Sequence, residues 1–272
     1  MNEQEIPLEK IDSVMELYSS GKIEEAILKI QSLNEKYPNT PLLFNLLGAC
    51  YTSLENWEEA KESFKKAIEI KPDYAEAYNN LGIIFNQLEE NEKAILYCKK
   101  AIDINSSFFN AHYNLGLIFQ KIDENEKAIN CYENAIKINP NFFNAYNNLG
   151  ILFKKSGEPQ KAKSCYENAI RINPKFSDAY NNLGVYFTDL GETENAIYNY
   201  AEAFIHNPKN KDAQLNLIND LTFYTPNKSN NINNPIIDAN IALREANQEF
   251  TFENLLDYNY LAVFFENSNK VF

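Results

Sequence analysis

Histidine and cysteine are the residue types best suited to nucleophilic, acid–base or metal chemistry, and this chain has few of either. The histidines are His112 and His206, and the four cysteines are Cys50, Cys98, Cys131 and Cys165. A structural zinc site needs closely spaced Cys and His ligands, and no CxxC pair occurs. No His stands near a Ser or Cys in a nucleophile–base pattern, and there is neither a glycine-rich phosphate loop nor a GxGxxG motif. The sequence therefore predicts no catalytic residue, no metal ligand and no cofactor. Asparagine is different. Asn80, Asn114, Asn148, Asn182 and Asn216 stand in one register, which Leu46 also occupies. One position earlier stand Asn45, Asn79, Asn147 and Asn181, in a row that Tyr113 interrupts. A carboxamide offers both a donor and an acceptor. Such a column can satisfy the N–H and C=O of a passing peptide backbone whatever its side chains are. It can also bond neighbouring copies of a repeat to each other.

A column of that kind needs a periodic scaffold. AEAYNNLGIIF begins at Ala75, FNAHYNLGLIF at Phe109, FNAYNNLGILF at Phe143 and SDAYNNLGVYF at Ser177, a step of 34 residues, with PLLFNLLGACY at Pro41 as a looser copy. Gly48, Gly82, Gly116, Gly150 and Gly184 each follow a Leu. Ala60, Ala94, Ala128, Ala162 and Ala196 keep the same beat, as do Ala67, Ala101, Ala135, Ala169 and Ala203. Pro38, Pro72, Pro140, Pro174 and Pro208 recur near the unit's end, where Ser106 stands once instead.

Apolar residues three, four and seven apart predict two helices per unit. In the copy beginning at Phe143 they are Tyr146, Leu149 and Phe153, then Ala162, Tyr166, Ala169 and Ile170. The Gly and Ala positions let two helix axes approach closely, and large rings fill the gaps. Asn91, Asn125 and Thr193 are expected as N-caps of second helices, with Pro159 in a first turn. The recurrent residue before Pro is pushed out of the α region and should end the helix. His112 takes the register of Tyr78, Tyr146 and Tyr180, as a core ring would. Cys131 and Cys165 share one register beside that of Cys98, as small buried thiols would.

These residues resemble the tetratricopeptide repeat family, whose pattern places an aromatic, a Leu-Gly, a second aromatic, two Ala and a Pro at fixed offsets. The resemblance covers about three quarters of the chain. It implies an all-α, right-handed superhelical solenoid of helix-turn-helix repeats, with first helices lining a groove that holds extended peptides or partner helices. The expected layout is a degenerate N-terminal repeat over 1–40, five repeats over 41–210, a closing helix over 211–224, and an Asn-rich loop with an apolar tail over 225–272 that would either pack back on and cap the last repeat or lead into a further domain. The Asn column is similar to the ladder in the repeats of O-linked N-acetylglucosamine transferases and SPINDLY-like proteins. That likeness implies peptide contact at Asn80, Asn114, Asn148, Asn182, Asn216, Asn45, Asn79, Asn147 and Asn181. Two functions follow: a non-catalytic protein–protein interaction scaffold, or the substrate-recruiting arm of a larger glycosyl-, sulfo- or methyltransferase.

Charge narrows the partner. Lys and Arg number 25 against 38 Asp and Glu, a formal net charge of -13. Nucleic-acid binding rests on cations displacing counterions, and attraction to anionic membranes needs the same sign. Neither partner fits. The polar positions of the first helices (Glu76, Asn110, Asn144, Asp178 and Asp212, then Thr52, Asn86, Gln120, Lys154 and Thr188) flank an apolar stripe of Ile83, Leu117, Ile151 and Val185. They lack the basic cluster of the carboxylate-clamp members of the family. A neutral or basic extended segment is the expected ligand. MNEQEIPLEK carries acids where a signal peptide carries bases, so the expected location is cytoplasmic. Candidate helices at Ile236–Gln248 and Phe252–Phe265 leave self-association through residues 250–272 as a further expectation.

Overall fold

The computed structural model describes residues 6–223. The expectations for the tail lie outside the described residues. The chain divides into two compact units, Met1–Pro140 and Asn141–Phe272. The first holds α1 (Leu8–Ser19), α2 (Ile23–Lys36), α3 (Pro41–Ser53), α4 (Trp57–Ile70), α5 (Ala75–Gln87), α6 (Asn91–Ile104), α7 (Phe109–Lys121) and α8 (Asn125–Ile138). The described part of the second holds α9 (Phe143–Lys155), α10 (Pro159–Ile172), α11 (Ser177–Asp189), α12 (Thr193–His206) and α13 (Lys211–Phe223). Among the described residues the secondary structure is entirely helical, and the fold is an all-α array of helical hairpins of the solenoid type.

Within the first unit, each of α3, α5 and α7 packs on the second helix of its own hairpin and on that of the hairpin before. First helices also touch first helices, α3 with α5 and α5 with α7. In the second unit α9 packs on α10, α11 on both α10 and α12, and α13 on α12, while α11 touches both α9 and α13. Each second helix from α4 onward buries a seam in which alanines flank a ring or a thiol. Ala128, Cys131, Tyr132 and Ala135 on α8 and Ala162, Cys165, Tyr166 and Ala169 on α10 are the examples. The alanines of these seams are fully buried, so the two helix backbones lie close.

The tightest contact is between the recurrent Gly and a ring from the paired helix. A Cβ added at Gly48 would lie 2.6 Å from Phe64 Cε1, one at Gly116 2.6 Å from Tyr132 Cε1, and one at Gly184 2.5 Å from Tyr200 Cε1. Two hairpins fill this joint differently. In α5/α6 the ring is replaced by Cys98, and the helices close up. The added Cβ at Gly82 would then meet Cys98 Sγ at 2.5 Å and the Ala94 carbonyl at 3.3 Å. In α1/α2 the two registers hold Val14 and Ile30, both fully buried. The volume has moved from the second helix to the first.

The turn inside each hairpin corrects the expected N-caps. Asn91, Asn125 and Thr193 are first helical residues, and the N-caps are Glu90, Glu124 and Glu192. The cause is a shared residue. The N–H of Glu90 donates to the Phe85 carbonyl at 2.9 Å and that of Glu124 to the Phe119 carbonyl at 2.9 Å. These are the long bonds of a Schellman ending, so the residue that closes the first helix also opens the second. The residue before it is left-handed: Gly21, Gly157 and Gly191 in three turns, but Glu55, Glu89 and Asp123 in the others. Glu90, Glu124 and Glu158 pair with Lys93, Lys127 and Lys161 one turn on. Those lysines cover the rings of Phe85, Phe119 and Phe153. Pro159 starts α10 as expected. The C-caps Asn105, Asn139 and Asn173 share one extended geometry. Asn105 reaches it without a following Pro, its Oδ1 accepting the Ser107 N–H at 3.0 Å.

The Gly–ring joint predicts a compensating pair. Gly48→Val should overpack the α3/α4 crossing and cost about 1–3 kcal/mol. Adding Phe64→Ile reproduces the Val14/Ile30 joint and should recover about 1 kcal/mol or more of that loss. Urea unfolding of both variants checks it. A double variant no more stable than the sum of the singles would reject the joint.

Candidate functional site

Both Asn rows lie on the first helices, in adjacent registers. The structure joins them from one hairpin to the next. Asn80 Nδ2 donates to Asn45 Oδ1 at 3.0 Å and Asn114 Nδ2 to Asn79 Oδ1 at 2.9 Å in the first unit. Asn182 Nδ2 donates to Asn147 Oδ1 at 2.9 Å and Asn216 Nδ2 to Asn181 Oδ1 at 3.1 Å in the second. Donor and acceptor are always 35 residues apart, one repeat plus one position. In the earlier row Asn79 and Asn147 are buried, at 4% and 6% exposure, while Asn45 and Asn181 are half-buried. Asn80, Asn114, Asn148, Asn182 and Asn216 are half-buried. Within one hairpin Asn147 Nδ2 also lies 3.5 Å from Asn148 Oδ1, at the edge of hydrogen-bonding range.

Leu46, which breaks the later row, is explained by the same pairing. The residue 35 positions before it is Ile11. Ile11 and Leu46 are both partly buried against the core around Val14, Ile30 and Leu43. An apolar pair thus stands where four later joints have a carboxamide pair. Leu215, in the earlier register on α13, is 58% exposed. The 35-residue offset was visible in the sequence, and it is the signal that identifies these partners.

Around the Asn rows the first helices carry half-buried Ile83 and Leu117 in one unit and Ile151 and Val185 in the other. The polar row one turn beyond the Gly takes up the hydroxyls of the packed rings. Tyr132 donates to Gln120 Oε1 at 2.6 Å, and Tyr200 lies 2.9 Å from Thr188 Oγ1. Thr188 also donates to Asp220, whose carboxyl is pushed above its ordinary range by burial. The cations on this face are engaged. Lys121 Nζ donates to the Asn86 carbonyl at 3.1 Å and lies 3.8 Å from Glu89, while Lys154 pairs with Asp189 at 2.8 Å.

The chemistry-bearing side chains are buried or partnered. All four cysteines are free and buried. Burial raises Cys50 and Cys131 to about 11 and Cys98 to about 12, so these thiols stay protonated at neutral pH. His112 is half-buried, its Nε2 3.2 Å from the Ser106 carbonyl. His206 lies 3.4 Å from Glu202, with its ring against Tyr180. Among the described residues no group of three His, Cys, Asp or Glu is arranged to hold a metal ion.

The Asn joint predicts an asymmetric cost. Asn79→Ala leaves the Asn114 amide without its acceptor and should cost about 1–3 kcal/mol. Replacing both partners, Asn79→Ile with Asn114→Leu, copies the Ile11/Leu46 joint and should cost less than the single change. Thermal unfolding of the two variants checks it. A double variant less stable than Asn79→Ala would reject the pairing as the source of the cost.

Comparison with known proteins places this geometry. A family model described as TPR repeat matches residues 48–88 and 122–157. Two described as tetratricopeptide repeat match 75–108 with 143–176, and 165–198. No curated protein matches the chain significantly. Among solved structures, MamA is 27% identical with a TM-score of 0.54, over 61% of this chain and 96% of that one. PilF of Pseudomonas aeruginosa is 20% identical with a TM-score of 0.64, over 82% and 96%. YrrB, a TPR protein with an unusual peptide-binding site, is 21% identical with a TM-score of 0.53, over 68% and 96%. The last two share the fold. No helix among the described residues is long and apolar enough to cross a membrane. The recurring Gly–ring joint, the small-residue seams and the matched repeats together show that the chain belongs to the tetratricopeptide repeat family.

Proposed function

We propose that the chain is a non-catalytic scaffold that holds an extended, neutral or basic peptide segment against its first helices, with the later Asn row as the line of backbone contacts. The observation that carries this is the way the row is held. Asn80, Asn114, Asn182 and Asn216 each commit one Nδ2 hydrogen to a neighbouring hairpin. A carboxamide has two such hydrogens and two acceptor lone pairs. The side chains are therefore fixed in orientation, half-buried, and keep hydrogen-bonding capacity. Pre-oriented groups bind with less loss of freedom.

The half-buried apolar residues within each unit, Ile83 with Leu117 and Ile151 with Val185, suit a strand-like ligand whose alternate side chains are apolar. The net charge of -13 and the acids Glu76, Asp178 and Asp212 favour bases on the remaining positions. Peptide binding by YrrB is consistent with such a use of the fold. The free buried thiols suit a reducing compartment such as the cytoplasm.

The test uses a fluorescein-labelled, alternating Leu-Lys decapeptide and its Leu-Glu counterpart, followed by fluorescence anisotropy. The Leu-Lys peptide should bind and the Leu-Glu peptide should not. Asn114→Ala with Asn182→Ala should weaken binding about tenfold or more, a change of about 1.4 kcal/mol, with the helical circular dichroism of the cold protein unchanged. Equal binding by the variant would make the column purely structural.

A further inference from the structure

Three hairpins seat a tyrosine on the recurrent Gly, and one of the three hydroxyls is left over. The seats match: an added Cβ would lie 2.6 Å from Tyr132 Cε1 at Gly116, 2.5 Å from Tyr166 Cε1 at Gly150 and 2.5 Å from Tyr200 Cε1 at Gly184. Each phenol therefore points along its first helix to the same register. There Tyr132 finds Gln120 and Tyr200 finds Thr188. In the third hairpin that register holds Lys154, which offers only donors and is already paired with Asp189 at 2.8 Å. Among the described residues the Tyr166 hydroxyl has no hydrogen-bond partner. The side chain is 1% exposed, yet its oxygen is not among the unbonded atoms sealed from water. The ring is enclosed, and the hydroxyl oxygen keeps slight contact with solvent.

We infer that the Tyr166 hydroxyl is a ligand contact, donating a hydrogen bond to a backbone carbonyl of the bound segment; this rests on the peptide-binding function proposed above. Burial keeps the phenol protonated by raising it far above its ordinary range, so it acts as a donor and calls for an acceptor oxygen. That oxygen is a neutral carbonyl rather than a carboxylate, because the neighbouring Lys154 charge is already balanced by Asp189. A fixed, nearly dry hydroxyl that meets its acceptor only in the complex adds affinity without reorganising the free protein. Tyr132, with the same ring in the same seat, is not a contact, because Gln120 already takes its proton.

The closing experiment repeats the anisotropy titration with Tyr166→Phe and Tyr132→Phe in the full chain. Tyr166→Phe should lower affinity for the Leu-Lys peptide about tenfold, as loss of one well-placed hydrogen bond does, with no fall in melting temperature. Tyr132→Phe should lower the melting temperature, leaving Gln120 unmatched, with affinity unchanged. Equal affinity of wild type and Tyr166→Phe, with wild type binding well, overturns the contact and spares the peptide-binding function. No binding by wild type overturns both. Binding of the Leu-Glu peptide that Tyr166→Phe abolishes overturns the carbonyl assignment in favour of a carboxylate.

Discussion

The structure depends on how closely two helices of a hairpin can approach. The absence of a Cβ at Gly48, Gly116, Gly150 and Gly184 lets a ring from the second helix lie directly on the first. Everything else in the hairpin is arranged around that contact. The seams of fully buried alanine bring the backbones together. The Schellman turn that ends one helix supplies the residue that begins the next. One hairpin still leaves an apolar face open, and burying it takes a neighbour. Packing of α3, α5 and α7 in the first unit, and of α11 and α13 in the second, against the preceding second helix meets that need.

The Asn joints lie on top of this packing. They connect first helices, where close approach already brings adjacent registers into reach. Hydrogen bonds between neutral amides add little net stability while both partners are present, and cost more when one is missing. That asymmetry makes the joints better at fixing register than at supplying stability. It also fits their replacement by Ile11 and Leu46 in the first joint, where an apolar pair meets the N-terminal core.

Much of this was legible in the sequence because each signal was local and repeated. The 34-residue step, the Leu-Gly pair, the small-residue seams and the residue before Pro located hairpins and ends with no tertiary information. The N-caps were misplaced at Asn91, Asn125 and Thr193. Residue preference alone favoured Asn and Thr, whereas the preceding turn gave that position to Glu90, Glu124 and Glu192. For the candidate site, the sequence located the Asn column but left open what each carboxamide touches, since repeat-to-repeat bonding and ligand bonding use the same residue type. The odd hydroxyl of Tyr166 was hidden for a different reason. A tyrosine in that register is ordinary, and its proton lacks an acceptor because the register that supplies Gln120 and Thr188 in other hairpins holds Lys154, which offers donors alone.

The constant 35-residue spacing of the carboxamide partners has a consequence for how such a chain changes length. Duplicating or losing one whole block of the tandem array keeps the late register opposite the early one, because the new neighbour presents the same pair of positions. A slip of a single residue within a first helix would misalign the joints on both of its sides at once. The array is thus tolerant of recombination between copies and intolerant of small insertions, so its copy number is freer to drift than its period.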